Sequence, residues 1–195
     1  GKTTQAARLA PWLRRRGLAV EMCREPGGTP LGERLRALLL DRSALSIGLR
    51  AEMLLYMASR AQLVEDVIRP ALDAGRVVVS DRYLLSSVVY QGYAGGLPVE
   101  EVWQVGAAAT GGLLPDLTLL LDVPPEVARA RIGAARDRIE DRPEAFQRLV
   151  REGFLALAKQ YPAPIVVIDG SADPEAVAER LQSEVSRVLG LGTRS

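Results

Sequence analysis

A three-layer α/β/α fold around a parallel sheet is predicted by three features of the sequence. Short apolar runs alternate with longer amphipathic stretches from one end to the other. Two of the runs, Val77-Val78-Val79 and Leu117 to Val123, are apolar almost throughout, as in strands covered on both faces. The runs end on polar groups, Arg24-Glu25, Ser80-Asp81-Arg82, Asp122 and Asp169, and the carboxyl ends of parallel strands are where such sheets hold ligands.

The elements follow in order. Residues 3 to 16 read as a helix with Leu9, Trp12 and Leu13 at helical spacing, stopped by Gly17. Leu18 to Arg24 reads as a strand, followed by the turn Glu25-Pro26-Gly27-Gly28-Thr29-Pro30 and a helix over 31 to 40. A longer helix is expected from about 48 to 74, bent at Pro70, which lacks the N–H an interior turn needs. Strand 76 to 80 comes next, then helices over 84 to 91 and 98 to 110 with Gly92, Gly95 and Gly96 between them. After strand 117 to 123, Pro125 opens a helix that becomes very polar near 133 to 142. An amphipathic helix then runs to Tyr161, and strand 165 to 168 and helix 174 to 189 complete the pattern. No linker or internal repeat interrupts it, so residues 1–195 read as a single domain. Strands joined by helices are expected to be parallel, with right-handed crossovers. Four strands are visible and the chain opens on a helix, so a first strand is expected upstream of Gly1.

Composition narrows the chemistry. With 25 basic and 24 acidic side chains the net charge is +1, which offers no bulk attraction to nucleic acid or to a membrane surface. There is no apolar run of membrane-spanning length and no signal peptide, so a cytoplasmic location is expected. Cys23 is the only cysteine and histidine is absent. A disulfide within the chain, a cysteine metal cluster and an imidazole base are all excluded. Lys2 and Lys159 are the only lysines, so contacts to anions fall mostly to arginine, whose planar fork suits phosphate.

Gly1-Lys2-Thr3-Thr4 opens the first helix as the second half of a phosphate loop would, with backbone N–H groups and a helix N-terminus facing anions. There Lys2 would neutralise the outer phosphates and Thr3 would hold Mg²⁺. Such a tripeptide is common by chance; its place before a helix, in a chain one strand short, gives it weight.

Three further groups carry chemistry. Tyr56 and Arg60 lie four apart on one helix face, an aromatic surface for a base beside a donor for its carbonyl. A core tyrosine with a surface arginine one turn on would look the same. Ser87 and Gln91 are also four apart, and Gln both donates and accepts, although a serine after a strand also caps helices. Tyr90 is placed to close the sugar side. At the strand end, Arg82 can span an acceptor phosphate and a transferring group, while Asp81 orients either the magnesium shell or Arg82; the alternative is a surface ion pair. Gly27-Gly28 lets backbone approach a ligand closely, as any turn also would.

Four segments, in this order and spacing, resemble the thymidylate kinase family: Arg24-Glu25-Pro26-Gly27-Gly28-Thr29, Tyr56-x-x-x-Arg60, Asp81-Arg82-Tyr83-x-x-Ser86-Ser87-x-x-Tyr90-Gln91-Gly92, and Asp137-Arg138-Ile139-Glu140. The resemblance covers essentially the whole chain. It implies a P-loop NTPase fold of nucleoside-monophosphate kinase type and phosphorylation of dTMP to dTDP with ATP and Mg²⁺, in dTTP synthesis. It further implies that Tyr56 and Arg60 hold the thymine ring and its oxygen, that Ser87 and Gln91 meet the base edge, that Glu25 lies beside the acceptor and that Arg36 contacts its phosphate. The segment from Arg129 to Arg142, with arginines at 129, 131, 136, 138 and 142, resembles the family's lid. Arg136, then Arg131, are its candidates for reaching the phosphates, and Asp137 and Glu140 would lie near the nucleotide. Ser171 to Pro174 would carry the adenine. Family members are homodimers, which points to residues 98 to 110 and their neighbours as a pairing face.

The catalytic set expected on this basis is Lys2, Arg82, Arg136 and Arg131, with Gly1, Lys2, Thr3 and Thr4 on the donor nucleotide and Thr3 and Asp81 at the metal. An acceptor phosphate is already an anionic nucleophile, so no general base is required. Three alternatives stay open: a kinase for another nucleoside monophosphate, a phosphate-loop switch or motor, and a nucleotide-binding protein without catalysis.

Overall fold

The computed structural model describes residues 1–41, 46–132, 138–139 and 141–191. Among these, α1 (Lys2–Arg14), α2 (Pro30–Leu40), α3 (Leu49–Leu63), α4 (Arg69–Asp73), α5 (Leu84–Ser87), α6 (Val99–Thr110), α7 (Pro125–Ile132), α8 (Glu144–Leu157) and α9 (Pro174–Leu189) surround β1 (Val20–Cys23), β2 (Val77–Ser80), β3 (Thr118–Asp122) and β4 (Ile165–Asp169). The order is the alternation read from the sequence.

The strands form two parallel pairs. β1 pairs with β2 in the register Val20 to Val77 through Cys23 to Ser80, and β3 with β4 from Thr118–Ile165 to Asp122–Asp169. The registers bring Arg24-Glu25 beside Asp81-Arg82 at one carboxyl edge and Asp122 beside Asp169 at the other. Among the described residues, β2 and β3 are each hydrogen-bonded to a strand on one side. Val77 and Val79 of β2 and Leu117 and Leu119 beside and on β3 share one apolar cluster with Leu9, Trp12 and Leu13 of α1 and Val185 of α9, so α1 and α9 tie the two pairs together. Both strands were expected to be buried on both faces; every residue of each is only half-buried.

The long helix expected over 48 to 74 is present in three pieces. Between α3 and α4 a π turn spans Val64–Ile68, and the Arg69 N–H donates to Val64 O, five residues back. Pro70 follows at once and cannot donate, and widening the turn before it absorbs the missing bond. A second π turn, Val88–Tyr93, continues α5 two residues past the expected end. It carries Tyr90 and Gln91. The amphipathic helix α8 stops at Leu157 rather than Tyr161, whose ring instead packs on Trp103 at 5.3 Å.

α6 is used largely inside the chain. Val102 is fully buried, and Trp103, Val105 and Ala109 pack against the cluster built by Met53, Met57, Leu84, Val88 and Val150. Among the described residues, no helix is long and apolar enough to cross a membrane.

Candidate active site

β1 ends at Cys23, and the chain turns through Glu25 and Pro26, whose peptide is cis, into Gly27 and Gly28 at φ +130° and +81°. The φ of +130° at Gly27 is one that side-chain-bearing residues rarely adopt, which explains the glycine. Gly28 N–H donates to Glu33 Oε1 at 2.8 Å, and Arg24 grips the same carboxylate. The Gly28 N–H and Arg24 hold the Glu33 carboxyl below its usual range. Thr29 caps α2 by accepting from Gly32 N–H at 2.9 Å, and Pro30 supplies a preset first turn.

The turn is fastened from β2 and α3 as well. Glu25 N–H donates to Asp81 Oδ1 at 3.2 Å and Gly27 N–H to Ser59 Oγ at 3.2 Å. Arg60, 1% exposed, donates through Nε to Glu25 Oε2 at 2.8 Å and through Nη1 to Ser87 Oγ at 3.1 Å. The other Glu25 oxygen is buried without a partner. Burial, aided by Asp81, pushes the Glu25 carboxyl up against the opposing pull of Arg60.

A cleft of about 370 Å³ opens above these groups. Its walls take Glu25 and Arg36 from the turn and α2, Tyr56 and Arg60 from α3, Asp81 and Arg82 from the end of β2, and Ser87, Tyr90 and Gln91 from α5 and its π turn. Its floor includes Gly1, Lys2, Thr3 and Thr4. Every acceptor-side residue singled out in the sequence therefore lines one cavity. A larger cleft of about 670 Å³ adjoins it and shares Gly1, Lys2, Thr4, Arg82 and Tyr90 as a common wall. It continues past Arg129 and Arg131 to Gly170, Ala172 and Pro174.

Arg82 stands where the two meet. Burial works against its charge, but the Tyr90 hydroxyl, Tyr56 and Asp81 outweigh that and hold its proton more tightly than water does. Its guanidinium lies 5.5 Å from the centre of the Tyr90 ring, and that ring is wedged against Phe146 and Phe154 of α8 at 6.2 and 6.1 Å. The cation is thus placed by Tyr90, which bonds it and whose ring α8 holds in turn.

Two of the expected arginines also carry protein partners. Arg131 donates to Gly170 O at 2.6 Å and Ser171 O at 2.8 Å, binding the loop after β4 rather than facing the shared wall. Arg36 donates to Pro26 O at 2.8 Å. Arg136, Asp137 and Glu140 lie outside the described residues. Three features escaped the sequence reading: Ser59, the Asp122–Arg151 pair held by two bonds of 2.6 and 2.9 Å, and buried Glu52 with Arg138 and Arg142 against it. Glu52 had a legible signal, because it precedes Tyr56 by the four residues that separate Tyr56 from Arg60.

The thymidylate kinase family matches this chain over residues 1–181. The chain belongs to that family. A relative called thymidylate kinase from Synechococcus sp. (strain JA-2-3B'a(2-13)) is 51% identical over 99% of the chain and 92% of its own length. Those from Symbiobacterium thermophilum and Deinococcus radiodurans are 44% and 47% identical, over 100% and 95% of the chain and 94% and 91% of their own lengths. Thymidylate kinase membership makes the α/β fold that of a P-loop NTPase, and Gly1 to Thr4 form the N-terminus of α1.

Oxygen donors suited to magnesium are in place. Thr3 and Asp81 line the same cleft, and Asp81 uses one oxygen on the Glu25 N–H. Among the described residues, no group of three or more acidic, cysteine or histidine side chains could hold a metal. One or two protein oxygens, with phosphates and water completing the shell, is how Mg²⁺ is usually bound.

Proposed function

We propose that this chain transfers the γ-phosphoryl group of ATP to dTMP, giving dTDP and ADP, with the acceptor in the smaller cleft and the donor in the larger. What supports this is Arg82 on the wall the clefts share, together with membership of the thymidylate kinase family. An acceptor phosphate brought to that wall meets the N-terminus of α1, Lys2 and Arg82 at once. The work of the protein is alignment and neutralisation of charge, which needs no proton acceptor.

On this reading Tyr56 stacks on the base, Arg60, braced by Glu25, presents a donor beside Ser87, and Gln91 meets the base edge. Tyr90 stands at the sugar side with its ring fixed by Phe146 and Phe154. Thr3 and Asp81 hold Mg²⁺, which offsets negative charge on the phosphates when bound. Arg36 faces the acceptor phosphate, and Arg131 shapes the loop at Ser171 to Pro174 that receives the adenine. The segment around 129 to 142 serves as the lid of a single kinase domain.

A homodimer is part of the proposal. α6 contributes Gln104, Ala107 and Ala108 to the surface, and Leu54 of α3 is 54% exposed. Sedimentation is expected to give twice the chain mass of 21.1 kDa.

The test is coupled-assay turnover with ATP against dTMP, UMP, dCMP and dGMP. The highest kcat/KM for dTMP is expected, and hydrolysis of ATP indifferent to dTMP would point instead to a switch or motor.

A further inference from the structure

We infer that Glu52 is a positioning residue that fixes the amide of Gln91 in one sense, and so makes the acceptor cleft select bases with an imide N–H over cytosine. The inference rests on the acceptor reading proposed above.

Glu52 sits on α3 one turn before Tyr56 and is 1% exposed. Both of its oxygens accept bonds. Oε1 takes Gln91 Nε2 at 2.9 Å and Arg142 Nη2 at 3.0 Å; Oε2 takes Arg138 Nη2 at 2.6 Å and Arg142 Nη2 at 2.8 Å. Arg138 is anchored at the same time on Leu39 O at 2.9 Å, and Arg142 stacks 4.5 Å from the centre of the Phe146 ring. A carboxylate held by two anchored guanidiniums has only acceptor capacity to offer a third neighbour. Gln91 must therefore turn its NH₂ toward Glu52.

The consequence follows from what Gln91 has left. It is 2% exposed and lines the acceptor cleft, and with the NH₂ end turned to Glu52 its carbonyl oxygen is the end left to face a base. Thymine and uracil carry an N–H at position 3 that an oxygen can accept. Cytosine has a lone pair there and would face the oxygen with no hydrogen between them. A buried acceptor left unpaired is penalised more than a made bond is rewarded, so the fixed amide acts mainly by rejection. Arg60 is braced by Glu25 much as Gln91 is braced by Glu52, and Arg60 in turn donates to Ser87 Oγ.

Glu52→Gln tests this, because a glutamine there can donate to the Gln91 oxygen and let that amide turn round. Kinetics with dTMP and dCMP are measured for both proteins. The ratio of kcat/KM for dTMP over dCMP is expected to fall about tenfold or more, chiefly through the KM of the acceptors. In a Gln91→Met background, Glu52→Gln is expected to leave the ratio unchanged. An equal loss on both acceptors, with the ratio intact, would show that Glu52 only holds the fold and would overturn the inference. A failure of the unmutated chain to prefer dTMP would instead strike the acceptor reading itself. If Glu52→Gln does not fold, proton exchange decides the matter: the Gln91 side-chain amide is expected to be protected before nucleotide is added, and fast exchange overturns the inference.

Discussion

Among single residues, Arg82 and Arg60 are cations that their own neighbours hold in the cleft. Arg82 is positioned by Tyr90, which Phe146 and Phe154 fix, so its charge is in place before substrates arrive. Arg82→Met is expected to lower kcat by about 100-fold or more while moving the KM of dTMP much less, since the charge it offsets develops on the way to the transition state. Arg60 differs, because it carries structure as well as binding. Its partner Glu25 is 4% exposed, and Arg60→Met would strand that carboxylate, costing about 3–5 kcal/mol in urea unfolding. Adding Glu25→Gln to that variant is expected to return part of the loss. Tyr56, Arg60, Ser87 and Gln91 were legible because helical spacing of four places each pair on one face, and the resemblance supplied their ligand. Glu52 shares the face of Tyr56 and Arg60 by the same spacing, but its partners Arg138 and Arg142 lie some ninety residues on, and only the fold brings them against it.

At the scale of elements, the turn from Arg24 to Thr29 is the best-specified piece. Gly28 has φ +81°, and a Cβ there would lie 2.8 Å from Leu63 Cδ1. Gly28→Ala is expected to lower stability by about 1–2 kcal/mol, read as a fall in Tm, with binding of dTMP weakened as the turn shifts. The turn also carries a pH signature. Glu33 is held below its usual range by the Gly28 N–H and then by Arg24, so its contribution is full above the unfolded value near 4.5 and is lost as pH falls through the lower folded one. Glu33→Gln is therefore expected to destabilise at pH 7 and to make little difference at pH 3, measured by urea midpoints at the two pH values. The four strands were legible because β-branched and leucine runs stop at charged residues. Their half-burial and pairing were not, since pairing depends on segments far apart in sequence. The π turns also escaped: the first depends on the donor that Pro70 lacks, the second on how Tyr90 and Gln91 pack, and neither leaves a periodicity to read.

At the scale of the whole molecule, two parallel strand pairs bring their carboxyl ends to adjoining clefts with one common wall. The arrangement explains how a chain with a net charge of +1 and no histidine can still be a phosphotransferase. Charge is concentrated locally, with Lys2, Arg82 and the N-terminus of α1 on the wall the two clefts share, where nucleotides bound as proposed would exclude water. The most direct test is steady-state kinetics with ATP and a panel of dTMP, UMP, dCMP and dGMP. The account predicts that kcat/KM is highest for dTMP and that Arg82→Met removes most turnover on it. A higher kcat/KM for any other acceptor, or an Arg82→Met enzyme with unchanged kcat, would contradict it.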